Sequence, residues 1–177
     1  MRTLLFPLLL VSALSFLQAA EPGNTLTPNG DFESGSLGGA NGWTAGKGAS
    51  VEVEDGNHFL RLQSAEPNVQ VQSHRKVKIP AGTQKVKLSF RVRYDNIVAG
   101  AENWHLGSLV LHFKDSTGAN TKPEPRPFSF KGKSDGWVEK EVEIDVPEGS
   151  VELEFLPALF RVQSGTLDFD DIVVVPE

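Results

Sequence analysis

The sequence predicts an all-β fold, an antiparallel β-sandwich of the jelly-roll type, on three observations. Apolar and polar residues alternate with period two in several stretches, Gly, Pro, Asn and Asp punctuate the gaps between them, and no stretch keeps a helical spacing. Such alternation means that each sheet buries one face and leaves the other to solvent.

The strands follow in order. "ASVEVED" and "HFLRLQS" flank Asp55-Gly56-Asn57, a hairpin signal, and "NVQVQ" and "KVKIP" are short candidates after them. In "QKVKLSFRVRYD" Val86, Leu88, Phe90, Val92 and Tyr94 share one face, with Lys85, Lys87, Ser89, Arg91 and Arg93 on the other. "SLVLHF" and "PFSF" are separated by "STGANTKPEPRPF", whose Pro123, Pro125 and Pro127 keep it extended and outside the sheet. "WVEKEVEIDVP" sets Val138, Val142, Ile144 and Val146 against Glu139, Glu141, Glu143 and Asp145. "SVELEFL" turns Val151, Leu153 and Phe155 inward, and "TLDFDDIVVV" closes the set.

The first twenty residues read as a secretory leader. Met1-Arg2 is a short positive region, Leu4 to Leu17 an apolar one, and Gln18-Ala19-Ala20 offers cleavage after Ala19 or Ala20. Residues 21–177 then form one domain, secreted or periplasmic, with no later segment apolar enough to span a bilayer. The chain has no cysteine, so it is expected to hold together outside the cytoplasm without disulfides. A net charge of −6 argues against a nucleic-acid partner.

The last strand poses a question. Asp168, Asp170 and Asp171 stand in an apolar run, and a buried carboxylate is costly unless it is paired or bound to a metal. Alternation puts Asp170 on the face of Ile172 and Val174, with Asp168 near the strand's start and Asp171 facing the other way unless a bulge intervenes.

"NGDFESG", "NGW", "VKLSFRVR", "DGWVEKEVEIDVPEG" and "GTLDFDDIVV", in that order, resemble carbohydrate-binding modules of families four, nine and twenty-two, which are galactose-binding-like jelly rolls. The resemblance implies a non-catalytic domain that binds a polysaccharide or glycan, with a separate glycoside hydrolase or a surface protein as its companion. It also implies a structural calcium joining the Asn-x-x-Phe-Glu segment to the last strand. The matching positions are Glu33 and Asp170, with Asp31 as a further oxygen donor.

Sugars are gripped by aromatic faces with planar polar groups around them, so the three tryptophans are weighed first. Trp43 and Trp137 fall where the family buries an indole. Trp104, in "VAGAENWHLGS", follows a polar loop and is the expected stacking platform. Asn103, His105 and Arg93 are the expected hydrogen-bonding residues, with Arg75, Gln70 and Gln72 as further polar candidates for a cleft. Arg91 and Arg93 are otherwise expected to pair across strands with Glu139, Glu141 and Glu143.

Two other functions are weighed. Glu143, Asp145 and Glu148 match the Glu-x-Asp-x-x-Glu pattern of jelly-roll glycosidases, but Pro147 takes Glu148 off the strand. His58, His74, His105 and His112 show no metal-ligand spacing. An adhesion or accessory domain of a surface assembly is the alternative, and it would show a broad apolar patch rather than an aromatic groove.

Overall fold

The computed structural model describes residues 25–38, 42–44 and 46–177, so the leader expected over residues 1–20 lies outside the described residues. Ten strands pair into two antiparallel sheets. The first sheet runs in the order β1 (Ala49–Glu54), β2 (Asn57–Ser64), β10 (Ser164–Pro176), β5 (Lys85–Val98) and β8 (Val138–Asp145). In the second, β9 (Glu152–Leu159) pairs with β3 (Val71–Gln72) and β4 (Arg75–Lys78) on one side. On its other side lies β6 (Gly107–Lys114), followed by β7 (Phe128–Phe130).

The alternating stretches become these strands because each can bury one row of side chains. Val86, Leu88, Phe90 and Val92 of β5 and Leu153 and Phe155 of β9 are buried between the sheets with Leu60, Leu62, Leu109, Leu111 and Phe113. Each such side chain gains about 1.5–3 kcal/mol by leaving water. Val151 departs from its expected inward position: it precedes β9 and is exposed. The β1–β2 turn places both Asp55 and Gly56 at positive φ, the twist a two-residue hairpin requires.

The N-terminal segment is laced to the last strand. Thr27 Oγ1 donates to the Ile172 carbonyl at 2.6 Å, Ile172 N–H donates to the Gly30 carbonyl at 2.9 Å, and Leu26 N–H reaches the Val174 carbonyl at 2.7 Å. A Cβ on Gly30 would overlap the Ile172 carbonyl, so only glycine allows this approach. Phe32 and Trp43 are thereby carried into the core against Phe155, as expected for Trp43.

The lacing acts where β10 changes register. A β-bulge between Asp170 and Val173, with Asp171 at φ 48°, turns the strand by one residue. Ile172 and Val174 therefore stay in the core, while Asp170 joins Asp168 on the outer face of the first sheet. This corrects the expected placement of Asp170 beside Ile172. Asp168 is also not at the strand's start: it lies mid-strand, opposite Arg61 of β2 and Arg93 of β5.

Candidate functional site

The two outer faces of the sandwich have different chemistry. On the first sheet, Asp168 is 2 % exposed and accepts from two guanidinium groups. Arg61 binds it through Nε at 2.8 Å and Nη2 at 2.7 Å, Arg93 through Nε at 3.1 Å and Nη2 at 3.0 Å. The pairing with Asp168 is the main influence holding the Arg61 guanidinium above its ordinary pKa. Arg93 Nη1 also meets Glu54 at 2.6 Å.

Asp170 is fully buried. Its Oδ2 accepts from Arg91 and, at 2.9 Å, from Asn57, and its Oδ1 accepts from Asp171 N–H at 2.7 Å. Burial is the largest influence on its carboxyl and pushes its pKa up. Phe59 and Trp137 complete this face, edge to face with ring centroids 5.4 Å apart. Arg93 stands 4.6 Å from the Trp137 ring centre and 5.2 Å from that of Phe59. Trp137 is thus not a core indole. It lies half-buried over the guanidinium groups, which correct the expected pairing as well: Arg91 and Arg93 take the β10 aspartates, and Lys85 and Lys87 take Glu143 and Glu141. The face is internally neutralised, and Arg93 is committed to it.

The second sheet's outer face carries the open aromatic. Trp104 is 52 % exposed on the loop between β5 and β6, with the Phe160 ring 6.4 Å away at 65°. The two rings form a corner over a depression of about 310 Å³ whose other walls are Asn103, Leu106, Ser108, Val110, Pro127 and Ser129. None of these lining residues is charged. Alternation along β6 and β9 builds the floor, setting Ser108 against Ala158 and Val110 against Leu156.

Two residues farther along the same strands the face becomes charged. Glu154 there meets Lys114 at 3.2 Å and His74 at 3.6 Å. Gln70 and Gln72 bond each other on this face, whereas Arg75 turns inward beneath Trp43.

The expected site residues therefore divide. Trp104 and Asn103 come together at the depression. Arg93 is on the opposite face of the sandwich, and His105 is buried at 5 % exposure under the loop, where it cannot reach a ligand in solvent. Phe160, Ser108 and Ser129 line the depression without being among the expected residues. The alternation of "SLVLHF" does place Ser108, Val110 and His112 on one face, but Phe160 lies past the strand end, where no period speaks.

Glu33 and Asp170 both reach the start of β2. Glu33 accepts from His58 N–H and pairs with His58 Nδ1, each at 3.0 Å, while Asp170 accepts from the neighbouring Asn57. The His58 backbone hydrogen bond is the main cause of a lowered Glu33 pKa. Asp31 is turned to its own chain, where Oδ1 accepts from Glu33 N–H at 3.3 Å. No group of three acidic or histidine side chains suited to a metal occurs among the described residues. What this place offers a hard cation is the carboxylates of Glu33 and Asp170, the latter already accepting from Arg91 and from the Asn57 amide nitrogen.

A larger cavity of about 450 Å³ opens at the sandwich edge, between the proline loop and β8, over Phe128, Val142 and Ile144. Glu143 and Asp145 form its rim, but both are exposed and paired to Lys85 at 3.6 and 3.9 Å. Glu148 lies beyond the strand in the turn after Pro147. The three acids do not gather around one bond, and no exposed aromatic faces this cavity.

No protein-family model matches the sequence, and the search of curated proteins finds no match. Solved structures do match. A family 16 carbohydrate-binding module superposes with a TM-score of 0.56 at 17 % identity, covering 85 % of this chain and 99 % of that one. The chain shares the fold of carbohydrate-binding modules. A family 61 module, solved with β-1,4-galactotriose, gives 0.55 at 13 % identity over 88 % of this chain and all of its own. The enzymatically active domain of tailspike protein 4 from bacteriophage CBA120 gives 0.65 at 12 % identity over 89 % of this chain. This chain spans only 22 % of that one. The likeness is therefore to the fold of carbohydrate-binding modules at large, not to families four, nine and twenty-two in particular.

Proposed function

We propose that this chain is a secreted, non-catalytic carbohydrate-binding domain that takes a polysaccharide or glycan on the outer face of the second sheet. The observation that carries the reading is the Trp104–Phe160 corner over an uncharged depression. An indole face stacks on pyranose C–H groups, and Asn103, Ser108 and Ser129 offer hydrogen bonds to hydroxyls beside it. The shared fold supports the reading, and the leader-like residues 1–20 support export.

The adhesion reading finds less support. Exposed large apolar side chains among the described residues are Val53, Val69, Val98, Trp104 and Val151, which belong to different strands and loops. Affinity electrophoresis through gels of soluble polysaccharides tests the reading, with Trp104→Ala alongside. Retardation by a polymer that Trp104→Ala abolishes is the expected result; a panel that retards neither protein refutes it.

We also propose a structural calcium near the start of β2, held by Glu33 and Asp170 with Asp31 as a further oxygen donor. The attachment of Glu33 and Asp170 to the adjacent residues His58 and Asn57, and the burial of Asp170, support it. The ion would brace the N-terminal segment against β10 and take no part in sugar contact. Calcium should raise the melting temperature of the wild type and not of Glu33→Gln; an unchanged wild type refutes it.

A further inference from the structure

We infer that His105 is the positioning residue for Trp104, and that its protonation frees the Trp104 loop, so that glycan is released in mild acid. The inference rests on the glycan-binding reading above and deepens it.

The geometry is specific. The imidazole of His105 stands edge-on to the Trp104 ring, with centroids 4.1 Å apart and planes at 79°. The loop closes around the same residue: Gly100 N–H donates to the His105 carbonyl at 3.0 Å, and His105 N–H donates to the Glu102 carbonyl at 3.0 Å. Glu102 N–H then donates to His105 Nδ1 at 3.3 Å. The backbone presses on the residue from the other side too, since a Cβ on Gly100 would sit 2.7 Å from the His105 Cβ.

That last hydrogen bond fixes the proton. An imidazole Nδ1 that accepts must carry its hydrogen on Nε2, so the loop is built around the neutral ring. A second proton has only Nδ1 to occupy, where it would face the Glu102 N–H donor to donor. The charge would also be buried. His105 is 5 % exposed, and its Nε2 already lacks a hydrogen-bond partner. The charged side chains on the flanking segments are Glu102, Arg161 and Lys131; all three are exposed, and none is bonded to the ring.

A cationic imidazole is therefore better solvated with the loop open than closed. Opening removes the support beneath the Trp104 ring and breaks the corner with Phe160. Because the bound form needs the neutral ring, glycan binding and proton uptake oppose each other through linkage.

The test measures affinity for the best-retarding polysaccharide from pH 7.5 to pH 5, in the wild type and in His105→Asn. The asparagine Oδ1 falls near the position of Nδ1 and can accept from Glu102 N–H, but it does not titrate. Wild-type affinity should weaken by about tenfold over this range, and the variant should stay flat. A wild type that binds equally at both ends overturns the inference. So does a variant that keeps the full pH dependence, which would pass the effect to His74 or His112 on the same face.

A wild type that binds no glycan at any pH refutes the glycan site instead. His105 is then judged by a readout that needs no ligand: the indole N–H signal of Trp104 in an NMR pH titration. It should shift between pH 7.5 and 5 in the wild type; a signal constant over that range overturns the inference.

Discussion

Replacing Asp168 by asparagine probes the network that explains the acids of the last strand. The carboxylate is 2 % exposed and accepts four hydrogen bonds from Arg61 and Arg93, between 2.7 and 3.1 Å. Asparagine keeps the shape but turns one acceptor into a donor facing a guanidinium, and leaves two cations side by side. Breaking a buried pair in this way costs about 3–5 kcal/mol. The Arg61 and Arg93 side chains retain 31 % and 23 % exposure, so water recovers part of that. The expected loss is about 2–4 kcal/mol. In urea unfolding at pH 7, a slope of about 2 kcal/mol per molar turns this into a midpoint about 1–2 M lower. A variant combining Asp168→Leu with Arg61→Met should recover part of the loss, because one stranded cation goes with its partner. A midpoint within about 0.3 M of wild type for Asp168→Asn would refute the claim that this network holds the sheet.

Three further outcomes are expected. Gly30→Ala forces a methyl into the Ile172 carbonyl and should cost more than about 2 kcal/mol in the same assay, because the obstruction is backbone that cannot rotate away. The Glu33 carboxyl is held below its ordinary range in the fold by the His58 backbone N–H, so its stabilisation is present above that range and fades as pH falls through the folded value. In calcium-free buffer the melting-temperature gap between wild type and Glu33→Gln should therefore narrow from pH 7 to pH 3; a constant gap contradicts this. Glu139→Gln, on the outer face of the first sheet, should leave glycan affinity unchanged, and a loss matching that of Trp104→Ala would move the site to that face.

All ten strands were legible in the sequence, because period-two alternation and Gly, Pro and Asn turns encode strand existence directly. Register was not. The bulge after Asp170 moves one residue across the sheet, and nothing in "DFDDIV" announces it; the residues bonded to Ile172 at that point, Gly30 and Thr27, lie some 140 residues away in the chain. The same limit hid the partners of Arg91 and Arg93: two strands flank β5, and composition does not say which supplies the counter-ion. Trp137 was misplaced because it precedes β8 and folds across the sheet rather than through it. The exposure of Trp104 was legible from its polar loop. Its companion Phe160 is a long-range consequence of how β6 meets β9, whereas the next residue in the chain, His105, is turned inward by hydrogen bonds within its own loop.

The three tryptophans occupy the core, the first sheet's face and the second sheet's face, and so report separately on where a glycan binds. With indole nitrogens labelled, a retarding polysaccharide or its oligosaccharide is titrated into the protein while the three indole N–H signals are followed by NMR. A glycan on the second sheet's face moves the Trp104 signal and leaves those of Trp43 and Trp137 in place. A titration that moves Trp137 and leaves Trp104 fixed would place the glycan on the first sheet instead and refute the Trp104 site.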